Sequence, residues 1–313
     1  MHIADLTYAG LGIHEELVAY VADQQNYYEQ EGVHVALRDG RAWDDERVRL
    51  SATIGLGRAT LSRLTDGTPW TVLCVSTSRP LFWLLARDAY ATADQLAGRR
   101  IGIHPLQTAP GCFCRIVLRR LGLDPDRDVR PVIMAPGDYR RHIRRLAQGS
   151  LDAAFVGSTL APEVTAAENG LRVLAFVGDH FQIPTVGVAV DPTHRAPDEP
   201  AVLALVRATR RALRTIRDEP DLATRYVSAL IPSLTEAQAR QLYDRYVAPY
   251  FTADGRQEPS AAAGALSTVA EELGVPAVPD PAGIYRTDPP EQTMPGWQPQ
   301  PAEGAQSPLA RPR

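Results

Sequence analysis

The chain has 313 residues, 44% hydrophobic and 22% charged, enough apolar material for one or two globular domains with a sizeable core. A formal net charge of -4 gives no global basic field for nucleic acid or an anionic membrane, and no apolar run reaches the ~18–20 residues of a membrane span. All 33 Lys+Arg residues are arginine, so neither a lysine Schiff base nor a P-loop lysine is available.

In chain order, Ile3–Tyr8 reads as a first core strand. No basic n-region, apolar h-region or cleavage site precedes it, so the expectation is a cytoplasmic chain, or an exported one whose upstream signal is missing. The Gly-rich turn Gly10-Leu11-Gly12 leads into a helix over Glu15–Glu31, with Leu17, Val18, Val21 and Tyr28 spaced for one buried face and Gly32 as its stop. Strands follow at Val33–Leu37 and Ala52–Leu56, a helix at Ala59–Leu64, and strands at Trp70–Thr77 and Leu81–Ala86. The next units are strand Ile101–His104, helix Pro110–Leu121, strand Val129–Met134, helix Tyr139–Leu146, strand Ala153–Val156, helix Ala161–Asn169, and strands Val173–Val177 and Thr185–Val190. Only helices come after: Pro200–Asp218, Pro220–Leu230, Thr235–Tyr246 and Ala261–Leu273. From Val278 the composition turns to Pro, Gln, Gly and Asp, which predicts a disordered tail over residues 278–313 that includes Trp297. Alternating strands and helices define an α/β chain with parallel or mixed sheets.

Three cysteines, Cys74, Cys112 and Cys114, make no disulfide framework, since Cys112 and Cys114 are too close to pair without strain. This favours a reducing compartment, although exported binders also lack disulfides.

Four stretches carry a family resemblance. They are Tyr27-Tyr28-Glu29-Gln30-Glu31-Gly32-Val33-His34-Val35, Leu96-Ala97-Gly98-Arg99-Arg100-Ile101-Gly102-Ile103, Val117-Leu118-Arg119-Arg120-Leu121-Gly122-Leu123-Asp124-Pro125 and Leu146-Ala147-Gln148-Gly149-Ser150-Leu151-Asp152-Ala153-Ala154. In order and spacing they resemble the sulfonate/nitrate/thiamine-precursor (NMT1-like) family of type 2 periplasmic solute-binding proteins, over roughly residues 1–275. The resemblance implies two α/β lobes, with ligand held between them and a hinge motion that closes them. Crossings near residues 85–88 and 183–186 would make lobe one from 1–86 plus 187–277 and lobe two from 87–186. It also implies a small-molecule ligand, an organic anion or a heteroaromatic of sulfonate or pyrimidine type, and partnership with ABC-transporter membrane subunits. Nucleic acid, direct membrane insertion, a cofactor and a metal are not expected.

In open α/β sheets ligands bind beyond the carboxyl ends of strands. That rule selects Gly10, Leu11 and His14 after the first strand, and Gly55, Gly57 and Arg58 after the third. Ser76 and Arg79 lie before the first crossing; His104, Thr108, Gly111 and Cys112, then Ser158 and Thr159, then Asp179 and His180 follow strands of lobe two. Thr108 as N-cap and Pro110 in the first turn would aim free N–H groups and the positive helix end at an anionic head group. The same position would lower the thiol pKa of Cys112; the plainer reading is that Cys112 and Cys114 pack as small apolar residues. Arg79 could grip a carboxylate or sulfonate, or simply lie on the surface. His14 could bind ligand or move a proton, or be a satisfied buried histidine. Asp179 could orient His180, although adjacent side chains often diverge. Residues 140–145, Arg-Arg-His-Ile-Arg-Arg, read as a solvated basic face. Tyr8, Phe82, Trp83 and Phe181 could stack a ring or fill the core.

The alternative is a cytosolic enzyme on the same scaffold, of lyase, decarboxylase or desulfinase type and acting on a small cyclic acid, with His14, His180 or Cys112 as catalytic candidates and His104 as a further general base. Related folds include a sulfinate desulfinase and a pyrimidine synthase. The first needs a nucleophilic Cys where this chain has Gly10-Leu11-Gly12; the second needs a lysine and a longer cysteine motif, so neither activity transfers.

Overall fold

The structure, a computed structural model, describes residues 2–8, 12–40, 43–135 and 137–287. β1 (His2–Tyr8) pairs in parallel with β2 (Val33–Asp39) on one side and β3 (Ala52–Gly55) on the other. β10 (Val186–Val190) runs antiparallel between β3 and β4 (Thr71–Thr77), giving the order β2-β1-β3-β10-β4. The second sheet has the order β7-β6-β8-β5-β9, built from β5 (Phe82–Arg87), β6 (Arg100–Ile103), β7 (Arg130–Ile133), β8 (Ala153–Gly157) and β9 (Leu171–Phe176). β6 is parallel to both its neighbours, and β5 is antiparallel to both of its own.

The chain thus leaves the first sheet after β4, builds the second, and returns through β10. All of β5 lies in the second sheet, so the first passage is residues 78–81, N-terminal to the expected 85–88. The reason is burial: Trp83, Leu84 and Leu85 are at most 1% exposed between β8 and β9. Each such side chain contributes ~1.5–3 kcal/mol, which draws the whole strand into the second core.

Helices cover both sheets. The expected helix over residues 15–31 is two: α1 (Ile13–Gln24) and α2 (Tyr27–Gln30), separated by Asn26 at φ 55, the left-handed conformation that Asn tolerates. A short α3 (Asp45–Arg49), absent from the sequence reading, starts where the Asp44 carboxylate accepts from Arg47 N–H at 2.8 Å. α4 (Leu56–Thr65) follows β3, α5 (Ala109–Arg120) follows β6, and α6 (Tyr139–Ala147) follows β7. α7 (Pro162–Glu168) and the single turn α8 (Val177–His180) flank β9, so Asp179 and His180 sit on a helical turn.

α9 (Pro200–Asp218) opens with proline and buries Val202, Leu205, Val206, Leu213 and Ile216, a helical spacing that packs it on α1 and β4. α10 (Pro220–Leu230) and α11 (Glu236–Leu242) follow, and α11 runs into a π-helical turn, Tyr243–Val247, in place of the expected helix to residue 246. α12 (Pro259–Leu273) packs on α5 of the second half. The chain beyond 277 departs from the expected disordered tail as far as residue 287: Ile284 and Tyr285 are buried, and Tyr285 bridges Val72. Trp297 lies outside the described residues.

Contacts that join the halves include three held by hydrogen bonds or ion pairs. Glu272 of α12, nearly buried, accepts from Arg115 at 2.7 Å and Arg119 at 2.9 Å on α5. Glu163 of α7 accepts from Tyr246 at 2.5 Å and pairs with Arg245 at 2.8 Å. The start of α1 meets the loop after β8.

Candidate functional site

That third contact is where the candidate residues begin to converge. Ile13 N–H donates to Ser158 O at 3.3 Å and His14 N–H to Ser158 Oγ at 2.8 Å. A serine from the other half thereby caps α1. The approach needs Gly12: its φ is +85, and a Cβ there would stand 2.4 Å from Ser158 O. Gly57 serves a second close approach, since its Cβ would be 2.7 Å from the Ala109 methyl across the halves. Gly55 is buried and starts α4, its N–H donating to Thr53 Oγ1 at 3.3 Å.

The His14 side chain is buried, and its Nε2 lies 2.9 Å from Thr185 Oγ1 in the return passage. Desolvation pushes its pKa down to about 3, so the ring is neutral. Phe82, the first residue of β5, meets the His14 ring edge-on at 5.7 Å and the His104 ring at 6.3 Å. His104 follows β6 directly, at the carboxyl end of a parallel strand. It is fully buried, with Nδ1 3.4 Å from Met134 O, and burial together with the nearby His142 lowers its pKa to about 4.

Two further residues complete this cluster. His142 lies 5.7 Å from His104, and Tyr139 lies 5.7 Å from His104 and 5.4 Å from His142. His142 Nδ1 is 3.0 Å from Phe155 O, and burial lowers the pKa of its ring. The composition of residues 140–145 predicts a solvated basic face that includes His142; the side chain is fully buried instead. The signal was present. Tyr139, His142, Ile143 and Leu146 stand at i, i+3, i+4 and i+7, the buried stripe of α6, and Arg140, Arg141 and Arg144 occupy the opposite face.

Other candidates are brought elsewhere. The Arg79 guanidinium donates to Gly178 O at 2.7 Å and Asp179 at 3.4 Å, and lies 4.7 Å from the Tyr250 ring. Asp179 therefore pairs with Arg79 and accepts from Tyr250, while the His180 carbonyl accepts from Arg120; the proposed Asp179–His180 dyad does not form. Arg58 holds Gly40 O, Trp43 O and Asp45. Ser76 is buried, its carbonyl accepting from Thr252 N–H at 2.8 Å.

Thr108 caps α5 as expected, accepting from Gly111 N–H at 3.2 Å and donating to Pro105 O at 2.7 Å. Pro110 has no N–H, so this helix start offers little to an anion. Cys112 is fully buried, and desolvation, aided by Glu272, pushes its thiol up to about 12, opposite to the lowering expected at a helix start. Gly10 and Leu11 lie outside the described residues, and Thr159 adjoins the Ser158 contact. A cavity of about 450 Å³ between α5 and α12 is lined by the paired Arg115, Arg119 and Glu272 and by none of the converging groups. Among the described residues no three His, Cys, Asp or Glu side chains gather as a metal-ligand set.

Two five-stranded sheets joined by two passages, with side chains converging at strand ends between them, define a two-lobed periplasmic-binding-protein fold. A family model described as NMT1/THI5 like matches residues 15–223, and the chain belongs to that family. The periplasmic aliphatic sulphonate binding protein SsuA of Escherichia coli is similar in structure, with TM-score 0.70 and 15% identity over 100% of this chain and 97% of that one. The alkanesulfonate-binding protein SsuA of Xanthomonas axonopodis pv. citri, bound to MOPS, has TM-score 0.69 and 14% identity over 91% and 98%. The desulfurization enzyme DSZB has TM-score 0.60 and 18% identity over 86% and 91%. No curated protein matches the chain by sequence.

Proposed function

We propose that the chain is a solute-binding protein that holds one small organic molecule between its two lobes and delivers it to the membrane subunits of an ABC-type transporter. The lobes are residues 2–77 with 186–287, and residues 82–180. The observation that carries the reading is convergence: His14 from the first lobe meets Phe82 from the second, which meets His104 and through it Tyr139 and His142. Family membership and the fold support it. No helix among the described residues is long and apolar enough to cross a membrane.

Three of the catalytic candidates offer little to an enzyme. His14 and His104 are weak bases, with pKa near 3 and 4, and the Cys112 thiol is buried and protonated. These features favour binding over turnover.

The deciding experiment incubates the full chain with a metabolite extract and weighs the bound and free pools by mass spectrometry. The binding reading expects one compound retained unchanged, at no more than one per chain. Depletion far beyond stoichiometry, with a matching new mass, overturns it.

A further inference from the structure

Hydrogen-bond accounting at the imidazoles narrows the ligand. A carbonyl oxygen can only accept, so the His104 nitrogen facing Met134 O and the His142 nitrogen facing Phe155 O carry the protons. A neutral imidazole has one N–H and one lone pair. Both rings are therefore Nδ1–H tautomers with an acceptor at Nε2. Neither Nε2 has a hydrogen-bond partner among the described residues, and both rings are fully buried. The Ala135 carbonyl also bears on the His142 ring without reaching hydrogen-bond geometry.

His14 follows the same logic with the opposite tautomer. Thr185 Oγ1 donates to Thr77 O at 3.4 Å, so it accepts from His14 Nε2–H and leaves the lone pair on Nδ1. The cluster is rich in acceptors.

Among the described residues the groups that would hold an anion are engaged elsewhere; Arg145 of α6, whose charge bears on His142, donates to Ser150 Oγ at 3.3 Å and Met134 Sδ at 3.0 Å. The amides of Ile13 and His14 donate to Ser158, and the Gly12 amide to Glu16 at 2.6 Å. The α5 start is capped by Thr108, and the guanidinium groups of Arg58 and Arg79 are bound to carbonyls and carboxylates. An anionic oxygen beside two buried lone pairs would be repelled. A donor placed there removes the cost, ~1–3 kcal/mol each, of leaving a buried acceptor unmet.

We infer that the ligand presents hydrogen-bond donors on a flat, uncharged ring to His104 and His142, with Phe82 and Tyr139 beside it, and brings no anionic head group to this end of the cleft. The inference rests on the reading of this cluster as the ligand site.

Two probes with the same ring and substitution pattern test it: 1,3-diaminobenzene, neutral with two N–H donor groups, and benzene-1,3-disulfonate. Each is titrated into the full ¹⁵N-labelled chain while the imidazole nitrogens are followed by long-range ¹H–¹⁵N NMR. Before titration both rings should show Nδ1–H. The diamine should shift the His104 and His142 signals and the disulfonate should not. His142→Phe and His104→Phe should each weaken the diamine at least ~tenfold, the loss of one good hydrogen bond. If one variant fails to fold, the other and the wild-type tautomers still decide. Nε2–H on both rings, shifts by the disulfonate alone, or silence from both probes overturns the inference. Whether the cleft binds any solute is read separately from the extract experiment, which favours no charge class.

Discussion

Two polar clusters lie between the lobes and differ in one respect. Around the passages, Arg79, Asp179, Tyr250 and the Gly178 carbonyl form a charged group in which each member has its partner. The His104 and His142 rings are themselves neutral, with Asp138 and Arg145 of α6 the nearby charges, and two buried acceptors go unmet. Charge density alone would choose the first as the binding site. Completed hydrogen bonding argues the reverse: a satisfied ion pair holds structure, and an unsatisfied buried group is where a ligand gains most.

The sharpest way to break this contrast is at Gly12. His14 joins the imidazoles only where the lobes meet, through Phe82, whereas His104, His142 and Tyr139 share the second lobe. Gly12→Ala places a side chain at φ +85 with its Cβ 2.4 Å from Ser158 O. The conformation costs ~1–2 kcal/mol, and two cross-lobe hydrogen bonds of ~1 kcal/mol each are lost, about 3–4 kcal/mol in all. The urea midpoint should fall accordingly, and small-angle scattering should show a larger radius of gyration. An unchanged radius and midpoint would mean that the lobes do not meet at this point.

Acid comes next in size. His14 and His104 are held near pKa 3 and 4 in the fold, against 6.5 when free. The unfolded chain therefore takes up protons that the folded chain refuses. The stabilisation is complete above about pH 6.5 and is lost as pH falls toward the folded values, at ~1.4 kcal/mol per unit per ring. Roughly 2 kcal/mol for each should be gone by pH 5, measured as the difference in unfolding free energy between pH 7 and 5. Asp152 and Asp191 are kept apart by their window. Desolvation raises them, but hydrogen bonds from Arg100, and from Thr193 and Arg49, hold both below 3.8, so their contributions fade only in stronger acid. A flat profile between pH 7 and 5 would contradict the buried neutral imidazoles.

Smaller still is the effect expected at the charged cluster. Asp179 is 57% exposed, so Arg79→Ala removes a pair worth under ~1 kcal/mol and should change diamine binding by less than ~twofold. A tenfold loss on Arg79→Ala with none on His142→Phe would invert the comparison.

Much of this was legible in the sequence, and what was not has a common cause. Local periodicity announced most elements, from β1 to α12, and Thr108 was readable as a cap from its place before Pro110. His14 and His104 followed from the rule of strand ends. His142 was written in the stripe of α6 but hidden by the arginines around it. The role of Arg79 was not readable, because its partners, Asp179 and Tyr250, arrive from 100 and 171 residues away in sequence. The break at Asn26 and the membership of β5 in the second sheet likewise depend on packing partners that no local pattern names.

Cys112 tests the same lesson with the smallest expected signal. Its position at the start of α5 promised a lowered pKa, as helix N–H groups favour a thiolate. The surroundings oppose this: the side chain is fully buried, and Glu272, brought by α12, adds a negative charge that raises the thiol to about 12. Burial pushes Cys74 to about 12 and Cys114 well up as well. At pH 8 a thiol near 12 has about a thousandth of the thiolate of an ordinary cysteine, before access is considered. A disulfide reagent such as DTNB should therefore label none of the three thiols in the native chain over minutes, and all three in concentrated urea. One equivalent reacting at once in the native state would place an activated thiolate at the head of α5. The candidate chemistry would then move from the imidazoles to that helix.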